Sequence, residues 1–316
     1  MRVVFRVFFV VLGVVLTLGF GALARPDGHA KPQHDPHATP LGVLTFNIRY
    51  ASSADGDNAW PKRKDWVAEI LRDERLGVIG IQEALKPQLD DLRAACPKLG
   101  VVGVGRDDGK DKGEFAPILY RTDRWTVEKS GTFWLSEKPE EPGSKSWKTA
   151  CTRICTWARM RPTEKKKEDG VRVSGAGFWM FNTHLDHQSA EARTNGARLI
   201  AARIAELTAA DPAPVIVTGD LNAGENDAAT RVFTGAADAA RRLTDTLRAA
   251  HPDEKDIGTF NSFDAARRGG DKIDYVLVSD GIKTMDAWID RRTRDGRAPS
   301  DHWPVGAVIA LPVPAR

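Results

Sequence analysis

The chain has 316 residues, of which 41% are hydrophobic and 28% charged, with 18 prolines and 28 glycines. That is material for a large apolar core, and it excludes a disordered, collagen-like or coiled-coil protein. Three cysteines exclude a disulfide-dense scaffold, and none of the common cysteine zinc spacings is present. A net charge of +3, from 46 basic and 43 acidic residues, gives no global electrostatic footprint for nucleic acid.

Arg2 and Arg6 precede an apolar run from Val7 to Ala24, and Ala22-Leu23-Ala24 is a small-x-small exit. Basic start, apolar middle and small-residue exit predict a secretory signal peptide over residues 1–24. The run also reaches the lower edge of a membrane span, so an uncleaved N-terminal anchor is the other reading. Either one exports the rest of the chain, to the periplasm or beyond the cell. Residues 25–40 carry four prolines with His29, His34 and His37 and read as an extended linker. Residues 41–316 read as one domain.

From Leu41 onward short apolar runs alternate with helical patterns. Residues 42–48 read as a strand, and 62–75 as a helix with Trp66, Val67, Ile70 and Leu71 on one face. A strand at 78–81 and a helix at 87–96 follow, then strand-like runs at 101–105, 116–121, 126–135, 154–160 and 178–183. The sequence TEKKKEDG, from Thr163 to Gly170, reads as a solvated hairpin tip. A helix at 189–209 carries Ala197, Ile200, Ile204 and Leu207 at helical spacing, and strands at 214–218, 272–279, 284–289 and 305–311 complete the chain. Strands with interspersed helices and a strand-rich centre predict a layered α/β sandwich rather than a simple parallel sheet.

Four apolar strands run directly into polar residues. VLTFN ends at Asn47, VIGIQE at Gln82 and Glu83, WMFNTHLDH at His184, Asp186 and His187, and VIVTGDLN at Asp220 and Asn222. Asp274 in DKIDYVLVS and the pair Asp301-His302 come later. Each alone has a structural reading as turn former or helix cap. Together they gather at strand ends, where open α/β sheets bind ligands. Carboxylate and amide oxygens suit Mg²⁺, Mn²⁺ or Ca²⁺, whereas His184 and His187 with Asp186 between them are the only zinc-like alternative.

These motifs resemble the endonuclease/exonuclease/phosphatase superfamily, the DNase I-like metal-dependent hydrolases. The matching stretches are TFNIRY, IQE, NTHLDH, TGDLNA, KIDYVLVS and SDHWPV, spread over residues 41–311. The stretches NAWPKRK, GVGRDDGK, GTFWLSEKP and RICTWAR resemble a secreted bacterial branch. The resemblance implies a four-layer α/β/β/α sandwich of two mixed β-sheets with outer helices, and water attack on a phosphoester under a divalent metal. It implies that Glu83, Asn47 and Asp301 hold the metal and that Asp220 orients or deprotonates the attacking water. Asn222 would position that water or the phosphate. Asp274 and His302 would form a carboxylate–imidazole pair on the phosphate, and His184 matches the histidine of the nuclease and phosphatase branches.

Glu114 occupies the family position of an acid that orients His184, against a reading as a turn carboxylate in GKDKGEF. Arg153 reads either as a bidentate phosphate ligand or as half of a structural ion pair. Glu114, Arg153 and His187 are thus the candidates for contact with the substrate. Tyr120 reads as an inward strand residue or a phosphate contact, and Asp107 and Asp108 as lining of a glycine-flanked loop. The expected activity is that of a secreted phosphodiesterase or phosphatase on a phosphoester of unspecified identity. An extracellular nuclease is the alternative, although net charge does not favour nucleic acid, and a non-catalytic binding protein is a weaker one. Cys151 and Cys155 lie in or beside the strand-like run ACTRICTWARM, about 13 Å apart if extended, too far for a disulfide between them.

Overall fold

Period-two alternation of apolar side chains, broken by helical stretches, builds two six-stranded mixed sheets in the computed structural model, which describes residues 39–163, 177–235 and 242–312. Strands β1 (Thr39–Asn47), β2 (Leu76–Gln82), β3 (Leu99–Val102), β4 (Ile118–Arg121), β11 (Lys283–Ile289) and β12 (Val305–Leu311) lie in the order β11-β12-β1-β2-β4-β3. The second sheet holds β5 (Trp125–Trp134), β6 (Ile154–Pro162), β7 (Phe178–His184), β8 (Val215–Asp220), β9 (Leu243–Asp245) and β10 (Asp274–Ser279), in the order β5-β6-β7-β8-β10-β9. Only β1–β2 and β7–β8 pair in parallel; the other pairings are antiparallel. The leader and almost all of the linker expected over residues 1–40, and nearly all of the hairpin tip expected at 163–170, lie outside the described residues.

Three apolar clusters define the layers. Val43, Val78, Ile118, Met180, Ile216, Val276 and Ile309 pack between the sheets. Leu44, Phe46, Ile79 and Ile81 face Trp66, Val67, Ile70 and Leu71 of helix α1 (Trp60–Leu71) and Leu89 and Leu92 of α2 (Lys86–Ala95). On the far side Trp179, Phe181, Val215, Val217 and Leu277 face Ala197, Ile200 and Ile204 of α3 (Ala190–Ala210), with Val232 and Phe233 of α4 (Ala228–Thr234). This is the four-layer α/β/β/α sandwich.

Short elements escaped the sequence reading. The helix α4, the helix α5 (Thr246–Ala250) and β9 are seven, five and three residues long, too short to repeat a period. Their starts are nonetheless marked by side-chain caps, with Asp227 accepting from Ala229 N and Asp245 from Leu247 N. The first strand begins at Thr39, two residues before the expected domain boundary, because its register with β12 extends to Leu311. All three cysteines are free, so Cys151 and Cys155 are not joined to one another; Cys96 and Cys155 are buried and Cys151 is half-buried.

Along the inter-sheet face each central strand turns from apolar to polar near one end. The same-face series are Val43, Thr45, Asn47 on β1; Val78, Gly80, Gln82 on β2; Met180, Asn182, His184 on β7; and Ile216, Thr218, Asp220 on β8. A polar ladder closes the core beneath the site. Gln82 Nε2 donates to Asn182 Oδ1 at 2.7 Å and Thr45 Oγ1 at 3.1 Å, and Thr218 Oγ1 donates to Asn182 Oδ1 at 3.0 Å. The two sheets come so close here that a β-carbon on Gly80 would overlap Thr218 Oγ1 and Asn182 Oδ1.

Candidate active site

Strand register assembles the centre. His184 is the Cα partner of Asp220 across β7 and β8, and Asp220 is the partner of Asp274 across β8 and β10. Three residues distant in sequence therefore stand in one row, about 5 Å apart between strands. Asn47 closes the row from the other sheet, donating from Nδ2 to Asp220 Oδ2 and to Glu83 Oε1, both at 2.9 Å. His302 arrives on the turn before β12, with Nδ1 at 2.9 Å from Asp274 Oδ2 and Nε2 at 3.7 Å from Asp220 Oδ2. Its turn is tied down by Asn261 N and Ser262 N, which donate to Asp301 O, and Phe260 sets its ring edge-on to His302 at 5.1 Å.

The electrostatics separate the two histidines. Burial works against a charge on His302, but Asp274 and Asp220 outweigh it and hold the ring well above its usual pKa. Burial drives His184 the other way, reinforced by the guanidinium charges of Arg153 and Arg106, so this ring is neutral. Asn222 fixes its tautomer. Asn222 Nδ2 lies 3.1 Å from Leu185 O, which can only accept, and 2.9 Å from His184 Nε2. Nε2 therefore accepts and the proton sits on Nδ1, which is buried without a partner among the described residues. Burial and the neighbouring Asp274 push Asp220 up to about 7, against the pull of His302 and Asn47.

Glu83 sits just past β2 in a left-handed conformation, φ 63°, that turns its carboxylate toward the β1 exit. It accepts from Asn47 Nδ2 and, at 3.1 Å, from Tyr50 N. Asp301 is buried, and burial together with Glu83 raises its pKa, although His302 opposes the shift. A half-buried carboxylate beside a buried one suits a hard divalent cation, so the donor set of Glu83 and Asp301 fits the implied metal. Asn47 fits it less directly than expected. Its Oδ1 accepts from Arg49 N, and its nitrogen rather than its oxygen faces Glu83, so Asn47 bridges ligand and base.

Beside His184 lies a small cavity of about 10 Å³, room for one water-sized atom, lined by Arg106, Glu114, Thr152, Arg153 and His184. Glu114 does not orient His184 here. Its carboxylate accepts from Arg106 Nη1 at 2.7 Å, and burial raises its pKa against the pull of Arg106. Among the described residues Arg153 makes no ion pair; it contacts His187 Nδ1 at 3.0 Å, and His187 is exposed. Tyr120 pairs with Val78, four residues from Gln82 on β2, and so lies about 13 Å along the strand from the site. Asp108 closes its own loop by accepting from Lys110 N and Lys112 N.

Two site residues were missed. Arg63, on the buried face of α1, donates to the carbonyls of Ile48, Arg49, Asn58 and Pro299 and thereby ties the exit of β1 to the turn carrying Asp301. Its only sequence signal is a basic residue within an inward helical face. Arg49 pairs with Asp55 and stands 3.9 Å from Asp301 Oδ2.

Cys151, Asp186 and His187 bring one ligand atom each within 4.8 Å of one another, but Asp186 is already saturated. It accepts from Thr149 Oγ1, Ala150 N, Gln188 N and Ser189 N at 2.6–2.9 Å. These bonds hold its carboxyl well below the usual range although burial alone would raise it. Asp186 thus pins the 149–151 loop to the start of α3, and the zinc reading loses its carboxylate. A group with a depressed folded pKa contributes stability above its unfolded pKa near 4, and that contribution is lost as pH falls toward 2. Asp186→Ala is expected to cost about 3 kcal/mol at pH 7, the scale of several unpaired buried N–H groups. The Tm gap between parent and variant should narrow below pH 4; a gap constant from pH 7 to pH 2.5 would contradict this role.

The profile of the Endonuclease/Exonuclease/phosphatase family matches residues 44–302. No functionally curated protein matches the chain. Among solved structures, a mannosyl-6-phosphatase of Bacteroides thetaiotaomicron is 33% identical with a TM-score of 0.76, over 85% of this chain and 99% of that one. A family protein of Bacteroides vulgatus is 36% identical with a TM-score of 0.74, over 86% and 99%. TDP2 of D. rerio, solved with a single-stranded DNA product, shares the fold at 17% identity and a TM-score of 0.64, over 86% and 99%.

Proposed function

This chain belongs to the endonuclease/exonuclease/phosphatase family, and from that premise we propose that it is a divalent-metal-dependent hydrolase of small phosphomonoesters. The observation that carries this reading is the row His184, Asp220, Asp274 with His302 clamped upon it. Asp220 is a base held near neutral pH, and His302 is a cationic donor 3.7 Å from it. Glu83 and Asp301 would hold Mg²⁺, Mn²⁺ or Ca²⁺, which when bound supplies positive charge to the phosphoryl oxygens. Asn222 N donates to Asp220 Oδ1 and Asn47 Nδ2 to Asp220 Oδ2, at 2.9 Å each, which fixes the carboxylate while each oxygen keeps a second lone pair for a proton from water. His184 offers a neutral N–H on the side of Arg153, whose uncompensated charge suits a dianionic phosphate.

The 33% identical mannosyl-6-phosphatase supports a monoester and makes sugar phosphates the first substrates to try. A duplex is less well served. Arg292, Arg294 and Arg297 in the loop before β12 are engaged by Asp290, Glu69 and Asp57, so that basic stretch is already neutralised. Export through the segment 1–24, cleaved or retained as an anchor, completes the proposal; no helix among the described residues is long and apolar enough to cross a membrane. The deciding assay incubates purified protein with Mg²⁺, Mn²⁺ or Ca²⁺ and offers mannose 6-phosphate, a chromogenic monoester, a chromogenic diester and plasmid DNA. Faster turnover of diester or DNA than of either monoester would overturn it.

A further inference from the structure

Arg153 is only 4% exposed, yet among the described residues no carboxylate pairs with it. Its Nε and Nη1 are buried without a partner among the described residues, and its one hydrogen bond runs from Nη2 to His187 Nδ1 at 3.0 Å. A guanidinium can only donate, so His187 accepts at Nδ1 and carries its proton on Nε2. His187 itself is exposed and fills no part of the core. The hydrogen bond is therefore its role in the fold, and the partner it holds lines the cavity next to His184.

The choice of a neutral acceptor has a consequence. Glu114 lines the same cavity and feels the charge of Arg153, although Arg106 already engages it at 2.7 Å. A long side chain released from behind would swing toward that carboxylate, and its charge would be lost to an incoming anion. An aspartate or glutamate in place of His187 would hold the guanidinium but cancel its charge. An imidazole accepting through Nδ1 holds it and leaves the charge whole.

We propose that His187 is a positioning residue: it anchors Arg153 from outside, as a neutral acceptor, so that Nε and Nη1 stay available to one phosphoryl oxygen of the substrate. This rests on the reading of the cavity as part of a phosphoester site. His187 touches no reacting atom, and its place on the surface makes substitutions there compatible with folding.

Calorimetric titration of the full chain with inorganic phosphate tests it directly, with KM and kcat for a chromogenic monoester measured beside it. His187→Ala should weaken phosphate binding about tenfold and raise KM by a similar factor, with kcat changed less, on the scale of one misplaced charge-assisted hydrogen bond. His187→Asn, whose amide oxygen stands close to the place of Nδ1, should return binding to within about twofold of the parent. His187→Asp should bind phosphate no better than His187→Ala, because it neutralises the guanidinium. Combining His187→Ala with Arg153→Ala should add nothing to the loss from Arg153→Ala alone. Parent-like binding by His187→Ala or His187→Asp, failure of His187→Asn to rescue, or losses that multiply in the double variant would each overturn the proposal. If phosphate binding follows the expected order but no phosphoester is turned over, the hydrolase reading falls and the positioning role stands. If the parent hydrolyses monoesters and His187→Ala does so with unchanged KM, the reverse holds.

Discussion

Glu83→Gln is expected to lower turnover by at least about 10²-fold while the protein stays folded, and chelation of the parent should do the same until Mg²⁺ or Mn²⁺ is restored. The substitution keeps the side chain's size and its left-handed backbone place at φ 63°, but it removes the half-buried like charge beside buried Asp301. The two consequences have opposite signs. Without metal the variant should melt slightly higher than the parent, because Asp301 no longer faces a second carboxylate. With metal the parent should gain stability that the variant does not, since an ion that binds only the folded state raises Tm with its concentration. Melting curves at several Mg²⁺ concentrations therefore test the site without reference to any substrate. A parent protein fully active after stripping, or a variant whose Tm rises with Mg²⁺ as the parent's does, would remove Glu83 from the metal site.

The polar ends of VLTFN, VIGIQE, WMFNTHLDH and VIVTGDLN marked the right edge of the molecule because the change from apolar to polar falls on one face of each strand, which alternation makes readable. The row that joins His184, Asp220 and Asp274 was not readable in this way. It depends on β7, β8 and β10 being neighbours, and a strand's partners across 50 or 100 residues leave no local trace. Resemblance to a family implied only that these residues share a site; the register is what places them in one row. The resemblance also implied the pairing of Asp274 with His302, which is present at 2.9 Å, but other side-chain pairings escaped both routes. Glu114 stands where an acid for His184 was expected, but Arg106 from the other side of the same loop takes it, as two oppositely charged groups eight residues apart in a folded-back loop readily do. Asp186 belonged to the right motif and does other work: Gln188 N and Ser189 N are local donors, but Thr149 Oγ1 and Ala150 N reach it only once the 149–151 loop has folded against the start of α3. Sequence told which residue types gather at the site; which donor meets which acceptor needed coordinates.

The pH profile offers the sharpest test of how the row works. Asp220 must lose its proton to act as a base, so kcat/KM should rise with pH through its pKa, pushed up to about 7 by burial and by Asp274. His302 must keep its proton to act as a cation, so the rate should fall again at a higher pH, where the ring held charged by Asp274 and Asp220 finally deprotonates. Asp274 raises both groups, one by repulsion between carboxylates and the other by attraction at 2.9 Å. Asp274→Asn removes both effects at once. The acid limb should move to lower pH because Asp220 ionises more readily, and the alkaline limb should move the same way because His302 loses its counter-charge. The whole bell shifts acidward, and its height should fall by roughly 10²-fold, the scale of an impaired acid–base pair. Asp220→Asn should instead abolish the acid limb with a larger loss, whereas His302→Ala should abolish the alkaline one. If Asp274→Asn moved the two limbs apart, or left the alkaline limb where it was, His302 would not be the charged partner that the row of carboxylates makes it.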